Sequence, residues 1–344
     1  MSRGDRRRAR GWRALVFSGL FTLLVIVLSF GMGRYAIAPG EVLRIVWQIV
    51  TFRFDPQTAG EAARVLYYIR LPRILLAALT GVALAGAGTL FQGMFRNPLV
   101  SPDVLGVSSG AALGAAIGIL LPGGGGSIQV WAFCCGVAAV ALTYGIARAS
   151  RGQSVVMLVL AGMVVSAFFG AALSFLKYVA DPYEQLPAIV IWLMGGFYRA
   201  SWPAVGSLML TVVPAAVLLL LTSWKLNILS LGDEQALSLG LNVQVLRPLL
   251  IAAATLMVAG SVSVAGTISW VGLVVPHIAR MLAGADHDRS MPVAMLFGAG
   301  FMLLMDDLAR SLTTAEIPVG ILTSAIGAPF FGYLLISGRR EAWR

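Results

Sequence analysis

Few residues of this 344-residue chain are equipped for chemistry, so their spacing settles most enzymatic readings. There are two histidines, His277 and His287. No HExxH pair and no GxSxG elbow occurs, so neither zinc hydrolysis nor a serine nucleophile has its parts. Both histidines read as structural, hydrogen-bonding near span ends rather than ligating metal. Asp306 and Asp307 are adjacent carboxylates beside an apolar segment. Asp306 precedes Arg310 by four residues, the spacing of an ion pair along a helix, with a proton relay as the rival role. Cys134 and Cys135 are neighbours in an apolar run. They offer no metal spacing and no disulfide framework, and are expected to be small buried hydrophobes. Neither lysine, Lys177 or Lys225, follows a GxxxxGK pattern, so ATP-driven work would need a second chain to bind the nucleotide.

The elements that hold these residues must live in lipid. Hydrophobic residues make up 58% of the chain and charged residues 12%. That much apolar surface exceeds what one water-facing fold of this length can hide. A disordered basic tail would be poor in apolar residues, so that class is excluded too. The formal net charge is +10. Six arginines fall within residues 1–13 (Arg3, Arg6, Arg7, Arg8, Arg10, Arg13), and the rest scatter between apolar runs. There is no basic stripe with interleaved aromatics, so the charge speaks for membrane orientation and not for nucleic acid.

A spanning helix needs about 20 apolar residues. Segments 14–33, 74–95, 153–176, 203–224, 291–309 and 317–337 each supply one. Segment 104–147 is uncharged but broken at Pro122 and Gly123 to Gly126, which predicts two helices and a tight turn. Segment 248–279 is interrupted by Gly266, Gly272 and Pro276, which predicts a full span, a loop and a shorter irregular helix. The expectation is an all-α polytopic membrane protein of about ten transmembrane helices. It has a basic N-terminus over 1–13, one transmembrane domain over 14–338 and a tail over 339–344. The first segment, followed by Ala36-Ile37-Ala38, imitates a cleaved secretory signal, but its apolar core is longer than such signals carry.

With the N-terminus in the cytoplasm and spans alternating, sixteen of the 25 cationic side chains fall inside and nine outside. This predicts both termini on the cytoplasmic side. Among the 39 glycines, Gly110, Gly114 and Gly118 form a small-residue ladder, and Gly81, Ala85 and Thr89 form another. Such ladders let helix backbones approach closely in lipid. The longest cytoplasmic polar interruption is 225–247. Within it Asp233 to Leu239 has helix character, between Gly232 and a C-capping Gly240, with acids in the first turn. As a pattern it reads equally as a partner's docking surface or a solvated connector.

From these residues the chain resembles the permease subunits of ABC importers for metal chelates, the FecCD-type family serving iron-siderophores, haem and cobalamin. The likeness runs over about 65–335. It includes Arg70-Leu71-Pro72-Arg73, Gln92-Gly93-Met94-Phe95-Arg96-Asn97-Pro98-Leu99 and Trp192-Leu193-Met194-Gly195-Gly196. It continues through Leu231-Gly232-Asp233-Glu234, Gly266-Thr267-Ile268, Pro276-His277, Glu316-Ile317-Pro318-Val319-Gly320 and Gly327-Ala328-Pro329. The resemblance implies a type II importer permease in a bacterial inner membrane. It would be a homodimer served by two cytosolic ATPase subunits, which hold ATP and Mg, and by a periplasmic substrate-binding protein. No cofactor, metal or catalytic residue is implied for this chain. An ion-coupled secondary transporter of a bulky solute is the alternative.

The resemblance also assigns roles. Arg70, Arg73 and Arg310 match outward arginines that pair with glutamates of the binding protein, lipid-headgroup anchoring being the plainer role. Asp306 would hold Arg310. Asn97 and Leu99 match a cytoplasmic gate, although Asn97-Pro98 is also a turn signal. Ser154, Val155 and Val156 fall where a second constriction lies. Gly232, Asp233, Glu234, Ala236, Leu239 and Gly240 correspond to the helix coupled to the ATPase, with Asp233 where glutamate is usual. Met194-Gly195-Gly196-Phe197 and the loop Lys177 to Pro187 lie where a solute could be sampled from outside.

Overall fold

A computed structural model describes residues 3–33, 35, 37–55, 59–121, 124–150 and 155–336. Outside them lie Arg34, Ala36, Pro122, Gly123, Arg151, the expected gate residue Ser154 and the tail 339–344. The described elements are helical throughout. Seven stretches are long and apolar enough to cross a membrane: Ala9–Gly31, Glu61–Met94, Ser127–Ala149, Val155–Val179, Trp202–Leu229, Val243–Ala265 and His287–Ser311. Three shorter apolar helices accompany them, Val107–Leu120, Val271–Ala283 and Val319–Leu334.

The first helix, α1 (Arg3–Gly31), carries the basic segment into the apolar run without a break at residue 13. Two elements went unread in the sequence. The amphipathic helix α2 (Pro39–Val50) follows, and a short helix α3 (Glu61–Val65) leads through a π-turn (Leu66–Arg70) into α4 (Leu71–Met94). The crossing therefore begins at Glu61, well before the expected residue 74. Pro72 explains the π-turn, because it has no N–H to offer the carbonyl four residues back.

Helix α4 forms the centre. It packs against α13 (His287–Ser311), α9 (Trp202–Leu229), α11 (Val243–Ala265) and α12 (Val271–Ala283). Its small residues make this possible. A Cβ on Gly88 would lie 1.9 Å from the Gly272 carbonyl oxygen, and one on Gly81 would lie 2.1 Å from that of Gly298. Any side chain there would separate the backbones.

Segment 104–147 divides into α5 (Val107–Leu120) and α6 (Gly124–Ala149) as expected, but Gly124 to Gly126, read as part of the break, already belong to α6, and Pro122 and Gly123 lie outside the described residues. The ladder Gly110, Gly114, Gly118 faces Cys135, Trp131 and Ile128 of α6 in turn. The cysteines need correction: Cys134 is exposed and Cys135 only half-buried. Helix α6 offers its backbone to α5, and this turns the Cys134 side chain away from the bundle.

The break within 248–279 falls at 266–270, between α11 and α12. Gly272 and Pro276, expected as interruptions, lie inside α12. Pro276 sits far enough from the helix start to cost one hydrogen bond, which the packed helix tolerates. At 13 residues α12 is about 20 Å long, short of the roughly 30 Å hydrocarbon thickness. The remaining helices are α7 (Val155–Val179), α8 (Gln185–Leu193), α10 (Asp233–Ser238) and α14 (Val319–Ile336).

Candidate functional site

Helix α4 carries functional residues at both ends. At its start, three arginines and three carboxylates form a buried cluster. Arg73 reaches Asp306 with two nitrogens, Nε to Oδ2 at 2.9 Å and Nη2 to Oδ1 at 2.8 Å. Its third nitrogen, Nη1, meets Glu316 at 2.9 Å. Arg310 Nε lies 3.8 Å from Asp306 Oδ2, the ion pair read from the i,i+4 spacing. Its Nη2 donates to Asp307 Oδ1 and to the Ser29 carbonyl, and Ser29 Oγ donates to Asp307 Oδ2 at 2.6 Å. Arg70, on the π-turn, donates to the carbonyls of Phe30 and Tyr35. The cluster thereby joins α1, α4, α13 and the approach to α14.

All three guanidinium groups point inward and have internal partners, with Arg70 and Arg73 buried. Charges buried this far persist only when paired and hydrogen-bonded. Glu316 is the member with substantial exposure, 37% of its side chain.

Deeper in the bundle, three helix breaks meet. Gly196 N donates to the Ala265 carbonyl at 2.7 Å, and Thr267 Oγ1 donates to the Leu193 carbonyl. Gly320, at the start of α14, rests against the Met194 and Thr267 carbonyls. Trp270 enters α12 with φ of 72°, a left-handed conformation that side chains disfavour. Irregular backbone at this depth occurs where it is buried in protein or lines a cavity. The Met194 to Phe197 segment belongs to this junction.

Beyond the other end of α4, Arg96 adopts φ of 51° and Asn97 Oδ1 accepts from Leu99 N at 2.9 Å. Asn97 thus makes the turn that its sequence signals. Leu99 is exposed, as is Val156 near the start of α7, while Val155 packs on the core. Gln92 holds α12 twice, accepting from Arg280 Nη1 at 2.5 Å and donating to the Leu273 carbonyl at 3.3 Å. Asn227, on α9, accepts from the His287 backbone N–H at 2.8 Å, lies 2.9 Å from its Nδ1, and donates to Asp286 at 2.7 Å. His287 is thereby built into the α12–α13 turn.

Helix α10 sits at this same end. Gly232 and Gly240 flank it with φ of 122° and 82°, and Gly240 occupies the expected capping position. Ala236 is buried, while Leu231, Leu237 and Leu239 are exposed. Arg96 Nη1 lies 3.5 Å from where a Gly232 Cβ would be. Arg247, a buried residue of α11, grips Asp233 with both terminal nitrogens, at 2.6 and 3.0 Å. Neither this pair nor Arg73–Glu316 was foreseen. Each joins residues without local spacing, and no periodicity signals such a contact.

Comparison with known proteins completes the picture. The description of the FecCD transport family fits residues 21–337. Among curated relatives, the molybdate import system permease protein MolB of Haemophilus influenzae is 40% identical over 94% of this chain and 96% of its own length. The hemin transport system permease protein HmuU of Yersinia pestis is 37% identical, over 94% and 96%. The vitamin B12 import system permease protein BtuC of Citrobacter koseri is 36% identical, over 97% of both chains. A solved metal-chelate type ABC transporter in an inward-facing conformation superposes with a TM-score of 0.85 at 38% identity, covering 94% of this chain and 99% of that one. The chain belongs to the FecCD transport family and is a permease subunit of an ABC importer.

Proposed function

We propose that two copies of this chain form the conduit of a metal-chelate importer. Each copy crosses a bacterial inner membrane ten times, as one domain over 14–338, with both termini in the cytoplasm. Two cytosolic ATPase subunits bind ATP and Mg, a periplasmic binding protein delivers cargo, and this chain itself performs no catalysis. The cargo is a chelate of the iron-siderophore, haem or cobalamin kind. A second reading, a bare oxyanion, is favoured by the 40% identity to a permease named for molybdate.

The observation that carries this reading is α10. It is a short helix bounded by two glycines of positive φ, with apolar Leu237 and Leu239 turned outward and Ala236 turned in. Exposed leucines on a polar connector suit a protein partner better than water. We assign Gly232, Asp233, Glu234, Ala236, Leu239 and Gly240 to ATPase coupling, the segment 225–247 forming its frame. Nucleotide-driven closure would push α10, and alternating access would follow in the spans above. Asn97, Leu99, Val155, Val156 and Ser154 would form the gates, Ser154 lying outside the described residues.

At the arginine end, Arg70, Arg73 and Arg310 would dock the binding protein. Their internal partners favour a specific mode. An incoming carboxylate would compete with Glu316 for Arg73, since Glu316 is the partner that water already reaches.

The test is co-purification of the chain with its ATPase subunits and binding protein, mass spectrometry of the ligand that the binding protein retains, and uptake of that ligand into proteoliposomes. Uptake that requires ATP inside supports the proposal. Uptake driven by an ion gradient without ATPase subunits would establish the secondary transporter instead. A retained oxyanion in place of a chelate would establish the second reading of the cargo.

A further inference from the structure

We propose that helix α2 and the residues that close it are a lipid anchor, lying in the bilayer interface beside the arginine cluster. The helix has two apolar faces. Val42 and Ile45 are buried against Ala62, Ala63 and Leu66. On the other side Leu43, Trp47 and Val50, spaced as one helical stripe, are 64–70% exposed. Phe52 follows at 96% exposure and adopts φ of 57°. Its N–H donates to Ile49 O at 3.1 Å, and the Arg53 N–H donates to Gln48 O at 2.9 Å. This closure places Phe52 at the left-handed position where a helix end usually carries glycine. The backbone thus holds a conformation that side chains disfavour, and the result is an outward phenyl ring. The ring is no loose end, because Phe54, two residues on, packs on Tyr67 at 4.8 Å, and Tyr67 on Trp202 at 5.0 Å.

Phospholipid is the occupant that fits. Only seven residues, 32–38, connect α2 to the spanning helix α1, so α2 starts within about 25 Å of the point where the chain leaves the span. Arg70 shortens the tether further by holding the Phe30 and Tyr35 carbonyls. Arg44, 3.8 Å from Glu41 in a solvent-exposed pair and with 69% of its side chain exposed, and the exposed Arg53 put cations beside the apolar stripe. Tryptophan at the interface, apolar side chains below it and arginines reaching for phosphates define a membrane-surface helix. An acidic protein partner would match the arginines, but a stripe of leucine, tryptophan and phenylalanine would then stand in water whenever that partner left. The anchor has a structural consequence. It packs on residues 62–66, one turn before Arg70, and so sets the depth of the arginine cluster in the membrane.

The test uses the full chain carrying C134S and C135A, in vesicles of phosphatidylethanolamine and phosphatidylglycerol. An environment-sensitive fluorophore is attached at Phe52→Cys, at Leu43→Cys as a second position should the first fail to fold, and at Ser238→Cys on α10 as an exposed reference. We expect blue-shifted emission at 43 and 52. Shallow spin-labelled lipid should quench it at least threefold more than at 238, and iodide should reach it poorly. Quenching by iodide as at 238, with none from lipid, would overturn the anchor. So would protection that arises only when binding protein is added, or only when chain concentration drives copies together.

Discussion

Asp233 of α10 and Arg247 of α11 form a two-point ion pair, Oδ1 to Nη2 at 2.6 Å and Oδ2 to Nη1 at 3.0 Å. A planar fork on a carboxylate restrains rotation as well as distance. The two members stand differently. Arg247 keeps 10% of its side-chain exposure, whereas Asp233 keeps 47%. The short aspartate side chain brings α10 directly onto the foot of a spanning helix.

Removing the acid should therefore hurt more than removing the base. Asp233→Asn strips the partner from a buried cation, a change worth roughly 3–5 kcal/mol in fully buried pairs and here toward the lower part of that range. Arg247→Met leaves an acid that water can reach and should cost less. Thermal unfolding of the detergent-solubilised chain tests this order. In the reconstituted transporter, Asp233→Asn should also lower uptake per ATP hydrolysed, while ATPase subunits still co-purify.

The Arg73 cluster predicts a graded series. Arg73→Gln leaves buried Asp306 with only Arg310 at 3.8 Å, and should destabilise by about 3–5 kcal/mol. Arg73→Lys should fail to restore stability, since a single ammonium nitrogen cannot reproduce the planar contact that the three guanidinium nitrogens make with two carboxylates. Glu316→Gln should fall within about 1 kcal/mol of wild type, because that partner is partly solvated. A melting temperature for Glu316→Gln as low as that of Arg73→Gln would contradict the division of roles.

Glycine substitutions separate packing from chance composition. Gly88→Ala would put a methyl group 1.9 Å from the Gly272 carbonyl oxygen, and Gly114→Ala 2.1 Å from that of Trp131. Each should cost about 1–3 kcal/mol, or more where backbone must move. Gly145→Ala, with nothing within 4 Å, should be neutral or slightly stabilising. Yield of monodisperse protein and melting temperature read the contrast.

Asp103, in the connection between α4 and α5, gives a pH dependence. Burial raises its carboxyl pKa, against an opposing hydrogen bond from Ser108 Oγ. A raised folded pKa means that the folded chain binds the proton more tightly than the unfolded one. Stability from this group should then fall as pH rises from the unfolded value, about 3.9, through the folded value, and level off above it. Asp103→Asn should flatten that dependence and be at least as stable at neutral pH. A steeper loss at high pH in the variant would contradict this.

Much of the molecule was legible in the chain alone. Long uncharged runs identified the lipid-embedded class, and the glycine ladders marked helices whose backbones approach a neighbour closely, though not which neighbour. Gly232 and Gly240 bounded α10, and the i,i+4 spacing found Asp306–Arg310. These are local signals, carried by composition or by neighbours one helical turn apart. The tertiary structure decided the rest. It made Arg73 the centre of the cluster, turned the arginines inward, joined Arg247 to Asp233 and exposed Cys134. It also built α2 from a stretch whose polar residues mask its two apolar faces. Such partners are separated in sequence by as many as 281 residues and meet only when helices pack. Periodicity reports which face of a helix is apolar, but the choice of neighbour is made by backbone fit and by the need to pair every buried charge.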